Sequence, residues 1–130
     1  MHGVGIFQHR RVALHGQGNS FPRLINDPAN LEVCIQFIAS LKVLITNSYH
    51  GMYWAQLLGV PTVCVPFSSG HYAFNGEMTY STHEDSVSNA KQLLSEYRPE
   101  ARLKARELIL ENHRLVSSLF YSQAVEFLVD

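Results

Sequence analysis

Apolar residues recur at helical spacing in the segment that begins at Asp27. The positions, three or four residues apart, are Leu31, Cys34 or Ile35, Ile38 and Leu41. This spacing is typical of an amphipathic helix with one buried side. Asp27 is a candidate N-cap, and Pro28 falls at the first helical position, where a missing N–H costs nothing. The pattern therefore predicts a helix that starts directly after Asp27.

Two apolar runs flank a second helical segment. "KVLIT" (Lys42–Thr46) and "PTVCVPF" (Pro61–Phe67) are rich in β-branched residues and suit buried parallel strands. Between them, "GMYWAQLLG" suits a helix that ends at Gly59. Strand, helix and strand with tight junctions form a βαβ unit, which is the building block of doubly wound α/β sheets.

The signals on either side of this unit complete the expected architecture. "GVGIF" and "RVALH" near the start each suit a short strand, and the polar loop "SSGHYAFNGEMTYSTHED" is long enough to suggest a binding role. A helix is expected from about Ser86 to Tyr97. A last helix starts at Pro99 and could extend about 45 Å. We expect one α/β domain over residues 1–130, with a Rossmann-like parallel sheet and a long C-terminal helix.

Composition narrows the functional classes. The 130 residues are 46% hydrophobic, which fits a single domain with a real core. The ten basic residues are scattered and the net charge is -1, so nucleic acid is not expected as a partner. The most apolar stretch, residues 31–45, is too short and too polar for a membrane span, and no secretory signal is readable. We expect a cytoplasmic protein with Cys34 and Cys64 reduced.

The junction "TNSYHG" is the strongest candidate for chemistry. It follows a predicted strand, and ligands of open α/β sheets bind outside the carboxyl ends of the strands. Asn47 or Ser48 can cap the next helix, Gly51 lets a ligand approach the backbone, and the helix dipole favours an anion. His50 can donate a hydrogen bond to a phosphate or accept a proton from a hydroxyl. The junction therefore predicts a phosphate pocket.

A second junction, "FSSGH", places Ser68, Ser69 and His71 after the next strand, where they are expected to face the same crevice. Other interpretations of these residues have weaker support. A single histidine at a strand–helix turn is often only a capping or surface residue. The histidines lack metal-ligand spacing, and neither a G-x-S-x-G elbow nor a complete dinucleotide fingerprint is present. No metal or cofactor is expected.

The segment "ITNSYHGMYWAQLLGVPTVCVPF" resembles part of the polysaccharide pyruvyl transferases, whose C-terminal half adopts the nucleotide-sugar-binding lobe of a GT-B glycosyltransferase. The matching positions are His50, Gly51, Ala55, Gly59, Pro61, Pro66 and Asn75. The resemblance implies that His50 and the Gly51 amide hold the phosphate of an activated donor, either a sugar nucleotide or phosphoenolpyruvate. The acceptor would be a saccharide, in surface-polysaccharide biosynthesis.

The chain also departs from the pattern of that family. Pyruvyl transferases commonly carry an arginine two residues before the histidine, where this chain has Ser48, so that bidentate clamp is absent and both donors stay open. In GT-B enzymes the reaction takes place between two lobes, and 130 residues are enough for one lobe. We therefore expect a fragment of a longer enzyme, a subunit whose site is completed by a partner chain or a second copy, or a degenerate copy that no longer catalyses. The alternative is a non-catalytic nucleotide-binding or assembly module.

Overall fold

A computed structural model describes residues 2–14, 20–67 and 78–111. In these ranges the chain forms one sheet of five parallel strands in the order β2-β1-β3-β4-β5. The strands are β1 (His2–Gln8), β2 (Arg23–Ile25), β3 (Leu41–Thr46), β4 (Thr62–Cys64) and β5 (Thr79–Tyr80). This order is one of the two common orders of doubly wound sheets. The predicted α/β fold with a Rossmann-like parallel sheet is confirmed.

Within the described ranges, helices follow three of the strands. They are a 3-10 turn (Pro28–Asn30), α1 (Leu31–Ala39), α2 (Tyr49–Leu58), α3 (Ser86–Ser95) and α4 (Pro99–Glu111). Asp27 caps the 3-10 turn by accepting from the backbone N of Ala29 at 3.0 Å, and α1 continues from that turn. Gly59 ends α2 in the left-handed conformation, with φ 71. The start after Asp27, the end of α2 at Gly59 and the start of α4 at Pro99 are as predicted. Leu41 is not part of the first helix, which ends at Ala39, and instead begins β3; α3 ends at Ser95. The remainder of the long last helix lies outside the described residues.

Helices cover both faces of the sheet. One face carries Val43 and Ile45 of β3 and packs against α3, while the other carries Leu44 and packs against α1 and α2. All three side chains are at most 1% exposed. Because β3 is buried on both sides, its sequence is a continuous apolar run instead of an alternating one.

The edges of the sheet differ from the prediction. Residues 11–14 of "RVALH" do not form a strand, although Leu14 is buried in the core beneath α3, and His15 lies outside the described residues. The two edge strands are β2 and β5. β5 lies inside the segment that was predicted to be a polar loop. Both edge strands are two or three residues long, and Ile25 and Tyr80 are about half exposed. Such short, partly exposed strands have no apolar pattern that a sequence could reveal.

Helix α4 is anchored by a buried arginine. Arg102 is only 4% exposed, and its guanidinium donates hydrogen bonds to the carbonyl oxygens of Leu41 and Ala39, the latter at 2.6 Å. These carbonyls lie at the amino end of β3, opposite the end where ligands are expected. None of the helices in the described ranges combines the length and apolar character that a bilayer crossing requires.

Candidate functional site

The crevice between β1 and β3 is defined by the directions in which the chain leaves these two strands. After β1 the chain sends Leu14 into the core on the α3 side, whereas after β3 it enters α2 on the other side of the sheet. Neighbouring parallel strands whose connections diverge in this way open a crevice at their carboxyl ends. The junction "TNSYHG" follows β3, a central strand, as predicted.

Asn47 joins the two segments that border this crevice. Its side chain is 1% exposed; Oδ1 accepts from the backbone N of His9 at 2.7 Å, and Nδ2 donates to the carbonyl oxygen of Val12 at 2.9 Å. The side chain thus holds the segment after β1 against the start of α2. Asn47 shapes the crevice through the backbone that it positions.

Ser48 and Gly51 build the start of α2. Ser48 Oγ accepts from the Gly51 backbone N at 3.2 Å. Of the two predicted N-cap candidates, Asn47 and Ser48, Ser48 is therefore the N-cap of α2. A Cβ on Gly51 would lie 2.6 Å from Thr46 Oγ1 and 2.7 Å from Phe7 Cδ1. The space that the sequence suggested for a ligand is therefore filled by protein, and the glycine lets α2 approach the sheet closely.

His50 lies half-buried in the first turn of α2. Its Nδ1 is 3.2 Å from Nδ2 of Asn26, the residue directly after β2, and its ring is tilted by 32° over Trp54 at a centroid distance of 5.6 Å. The imidazole therefore lies where the carboxyl ends of β2 and β3 approach each other across the end of β1. This is the edge of the sheet at which a ligand was predicted.

Sequence reasoning missed the segment after β1. His9 is half-buried; its Nδ1 accepts from the backbone N of Arg11 at 3.0 Å, and its ring contacts Phe67 edge-on at 5.0 Å. Burial lowers the His9 pKa, and the charges of Arg10 and Arg11 lower it further. A neutral imidazole beside two exposed guanidinium groups attracts anions. The available signal was a pair of arginines, Arg10 and Arg11, between and at the start of the two predicted strands "GVGIF" and "RVALH".

The second predicted junction lies outside the described residues, so Ser68, Ser69 and His71 stay predictions. Phe67, the last described residue before them, contacts His9 after β1. The chain therefore leaves β4 beside the crevice, which is the direction that the prediction requires.

Two cavities border the sheet at opposite ends. A groove of about 640 Å³ opens beside Asn26 and includes Arg10 and Arg23 in its lining. A cavity of about 510 Å³ lies at the other end of the sheet, next to Gly59 and Pro61 at the start of β4. The groove also includes Asp27, and the Arg23 guanidinium donates to Gln8 Oε1 and to the Leu14 carbonyl oxygen. Arg10, beside the partner of His50, is therefore the feature of this groove that favours an anion. Within the described ranges, no three His, Cys, Asp or Glu side chains group as metal ligands.

Comparison of the chain with protein-family models, with curated proteins and with solved structures gave no significant match.

Proposed function

We propose that the chain is the donor-binding part of a glycosyl or pyruvyl transferase of surface-polysaccharide biosynthesis, and that the crevice between β1 and β3 binds the phosphate of the activated donor. One observation carries the proposal. His50 lies in the first turn of a helix at the carboxyl end of a central strand, and Asn47, three residues before it, holds the segment that contains Arg10 and Arg11.

Three kinds of group that can favour an anion lie on the segments that border this place. The start of α2 carries the positive end of a helix dipole, His50 offers a ring N–H, and the two arginines offer guanidinium groups. The arginines lie on the segment after β1 and not at position 48, where pyruvyl transferases commonly have one. Arg10 lines the groove beside Asn26, the partner of His50, so its guanidinium is the group that we assign to either donor, a sugar nucleotide or phosphoenolpyruvate.

The arrangement suits the departure of a phosphate. With a sugar nucleotide, a saccharide hydroxyl attacks the anomeric carbon, the bond from that carbon to the phosphate oxygen breaks, and the phosphate leaves with the electron pair. The hydroxyl proton passes to a base. Fixed dipoles and cations that face the phosphate oxygens lower the barrier, because negative charge grows there. The acceptor site and the base are assigned to an acceptor lobe from the rest of a longer protein, from a partner chain or from a second copy, and we place the reaction in the cytoplasm.

A non-catalytic nucleotide-binding or assembly module is the second candidate. The observation that favours it is that Asn47, Ser48 and Gly51 all serve the local fold through buried contacts. A chain that had lost turnover would retain such residues for stability alone.

Thermal unfolding with added ligands tests the proposal. UDP, GDP, CMP and phosphoenolpyruvate are added separately to the wild type, to His50→Ala and to His83→Ala, a control that removes an exposed imidazole before α3. A ligand at 100 times its dissociation constant stabilises by about 2.7 kcal/mol. We expect that stabilisation in the wild type and the control, and a much smaller one in His50→Ala.

If none of the four ligands stabilises the protein, donor binding is contradicted and an assembly role is favoured. Equal stabilisation of all three proteins contradicts the role of His50. Product formation after addition of a saccharide acceptor and the partner chain separates an enzyme from a binding module.

A further inference from the structure

Asn26 is a buried polar residue that the sequence did not single out. It is 6% exposed, and its backbone N donates to the carbonyl oxygen of Gln8 at 2.8 Å, which fixes it beside the end of β1. Its side chain lies between two groups. Nδ2 is 3.2 Å from Nδ1 of His50, and Oδ1 is 4.0 Å from Sγ of Cys34.

The two neighbours orient the amide. The Cys34 thiol is a weak donor that lies 4.0 Å from Asn26 Oδ1 and 3.8 Å from the carbonyl oxygen of Asp27. Burial raises the pKa of this thiol, so the sulfur keeps its proton and favours an acceptor. The amide oxygen faces the thiol, and the amide nitrogen consequently faces the imidazole.

This orientation determines the protonation of the ring. An amide nitrogen donates and cannot accept, so Nδ1 of His50 must be the unprotonated acceptor. In a neutral imidazole the single proton is then on Nε2. The tilted contact with Trp54 restrains the plane of the same ring.

We propose that Asn26 is a positioning residue that holds His50 as the neutral tautomer with its proton on Nε2, so that Nε2 is the atom that donates to the donor's phosphate. The first half of this statement concerns the ligand-free protein. The second half rests on the proposed function.

NMR of the ring nitrogens tests the first half directly. Protein labelled with ¹⁵N is studied without ligand, at a pH well above the ordinary histidine pKa. The signals of His50 are identified by their loss in His50→Gln, because the chain has seven histidines. We expect Nε2 with the shift of a protonated nitrogen and Nδ1 with that of an unprotonated one. A wild-type protein in which Nδ1 is protonated and Nε2 is not overturns the inference, and no variant is needed for this result.

Two substitutions extend the test. In Asn26→Asp the carboxylate can only accept, so the proton should move to Nδ1 and the two nitrogen shifts should exchange. Gln56→Glu adds the same charge to the exposed side of α2 and should leave them unchanged. An unchanged tautomer in folded Asn26→Asp contradicts a positioning role.

The same samples separate this inference from the proposed function. UDP is added to the wild type and to both variants. If the wild type has the expected tautomer but does not bind UDP, the role of Asn26 is supported and phosphate recognition is contradicted. Binding of UDP by a wild type that has the opposite tautomer supports phosphate recognition and contradicts the role of Asn26.

Discussion

Replacing Gly51 with alanine should destabilise the protein, although alanine is the better helix former. The substitution adds one methyl group inside the first turn of α2. That group would lie 2.6 Å from Thr46 Oγ1 and 2.7 Å from Phe7 Cδ1, both closer than a carbon atom tolerates. The gain in helix propensity is about 1 kcal/mol.

The cost is larger than this gain because Thr46 cannot move aside cheaply. Its Oγ1 donates to the Phe7 carbonyl oxygen at 2.6 Å and accepts from the Ser48 backbone N at 3.0 Å. Overpacking a rigid core costs roughly 1–3 kcal/mol, and breaking a buried hydrogen bond costs about 1–3 kcal/mol. After subtraction of the propensity gain, the expected net loss of stability is about 3 kcal/mol.

Urea unfolding measures this loss. For a slope of about 2 kcal/mol per molar urea, the midpoint of Gly51→Ala should fall by about 1.5 M. Gly3→Ala is the matched control, because its new Cβ lies 3.8 Å from Leu94 Cδ2 in an ordinary contact. The control should stay within about 0.5 kcal/mol of the wild type. A midpoint of Gly51→Ala at or above that of the wild type would refute the close approach of α2 to the sheet.

Three further substitutions test other parts of the account by the same urea measurement. Arg102→Met removes the donors to two buried carbonyl oxygens and should cost about 3 kcal/mol, while a change below about 0.5 kcal/mol contradicts the anchoring of α4. Asn47→Ala releases the segment after β1, so the free energy of unfolding should fall by about 2 kcal/mol. The variant should also lose most of the stabilisation by UDP. Intact stabilisation by UDP contradicts the role of Asn47 in the crevice. Burial raises the pKa of the Cys64 thiol to about 12 from 9.0, so the folded state holds this proton after the unfolded state has lost it. Stability should therefore fall above pH 9.0, by up to about 1.4 kcal/mol per pH unit, and this part of the fall should disappear in Cys64→Ala.

The unit from β3 to β4 was predictable because its signals are local. The buried run of β3, the N-cap Ser48 and the left-handed Gly59 lie within one short stretch, and each acts on residues next to it. These elements place His50 at the carboxyl end of a central strand. The fold class followed from the same stretch.

The surroundings of His50 were not predictable, because they depend on distant contacts. Asn26 lies 24 positions before His50, and His9 lies 38 positions before its hydrogen-bond partner Asn47. Only the strand order brings these segments to one edge, and that order depends on the short strand β2, which has no apolar pattern. The same limit explains why Gly51 was interpreted as space for a ligand, since Phe7 fills that space from another strand.

An NMR titration with UDP that follows the backbone amides of the whole chain tests the central claim most directly. Binding in the crevice predicts the largest shift changes at Arg10, Arg11 and His50, at the carboxyl ends of β1 and β3. Changes concentrated at Gln56, Gly59 and Thr79, around the cavity at the other end of the sheet, would contradict the claim. Unchanged spectra at millimolar UDP, about the weak end of specific affinities, would contradict it equally.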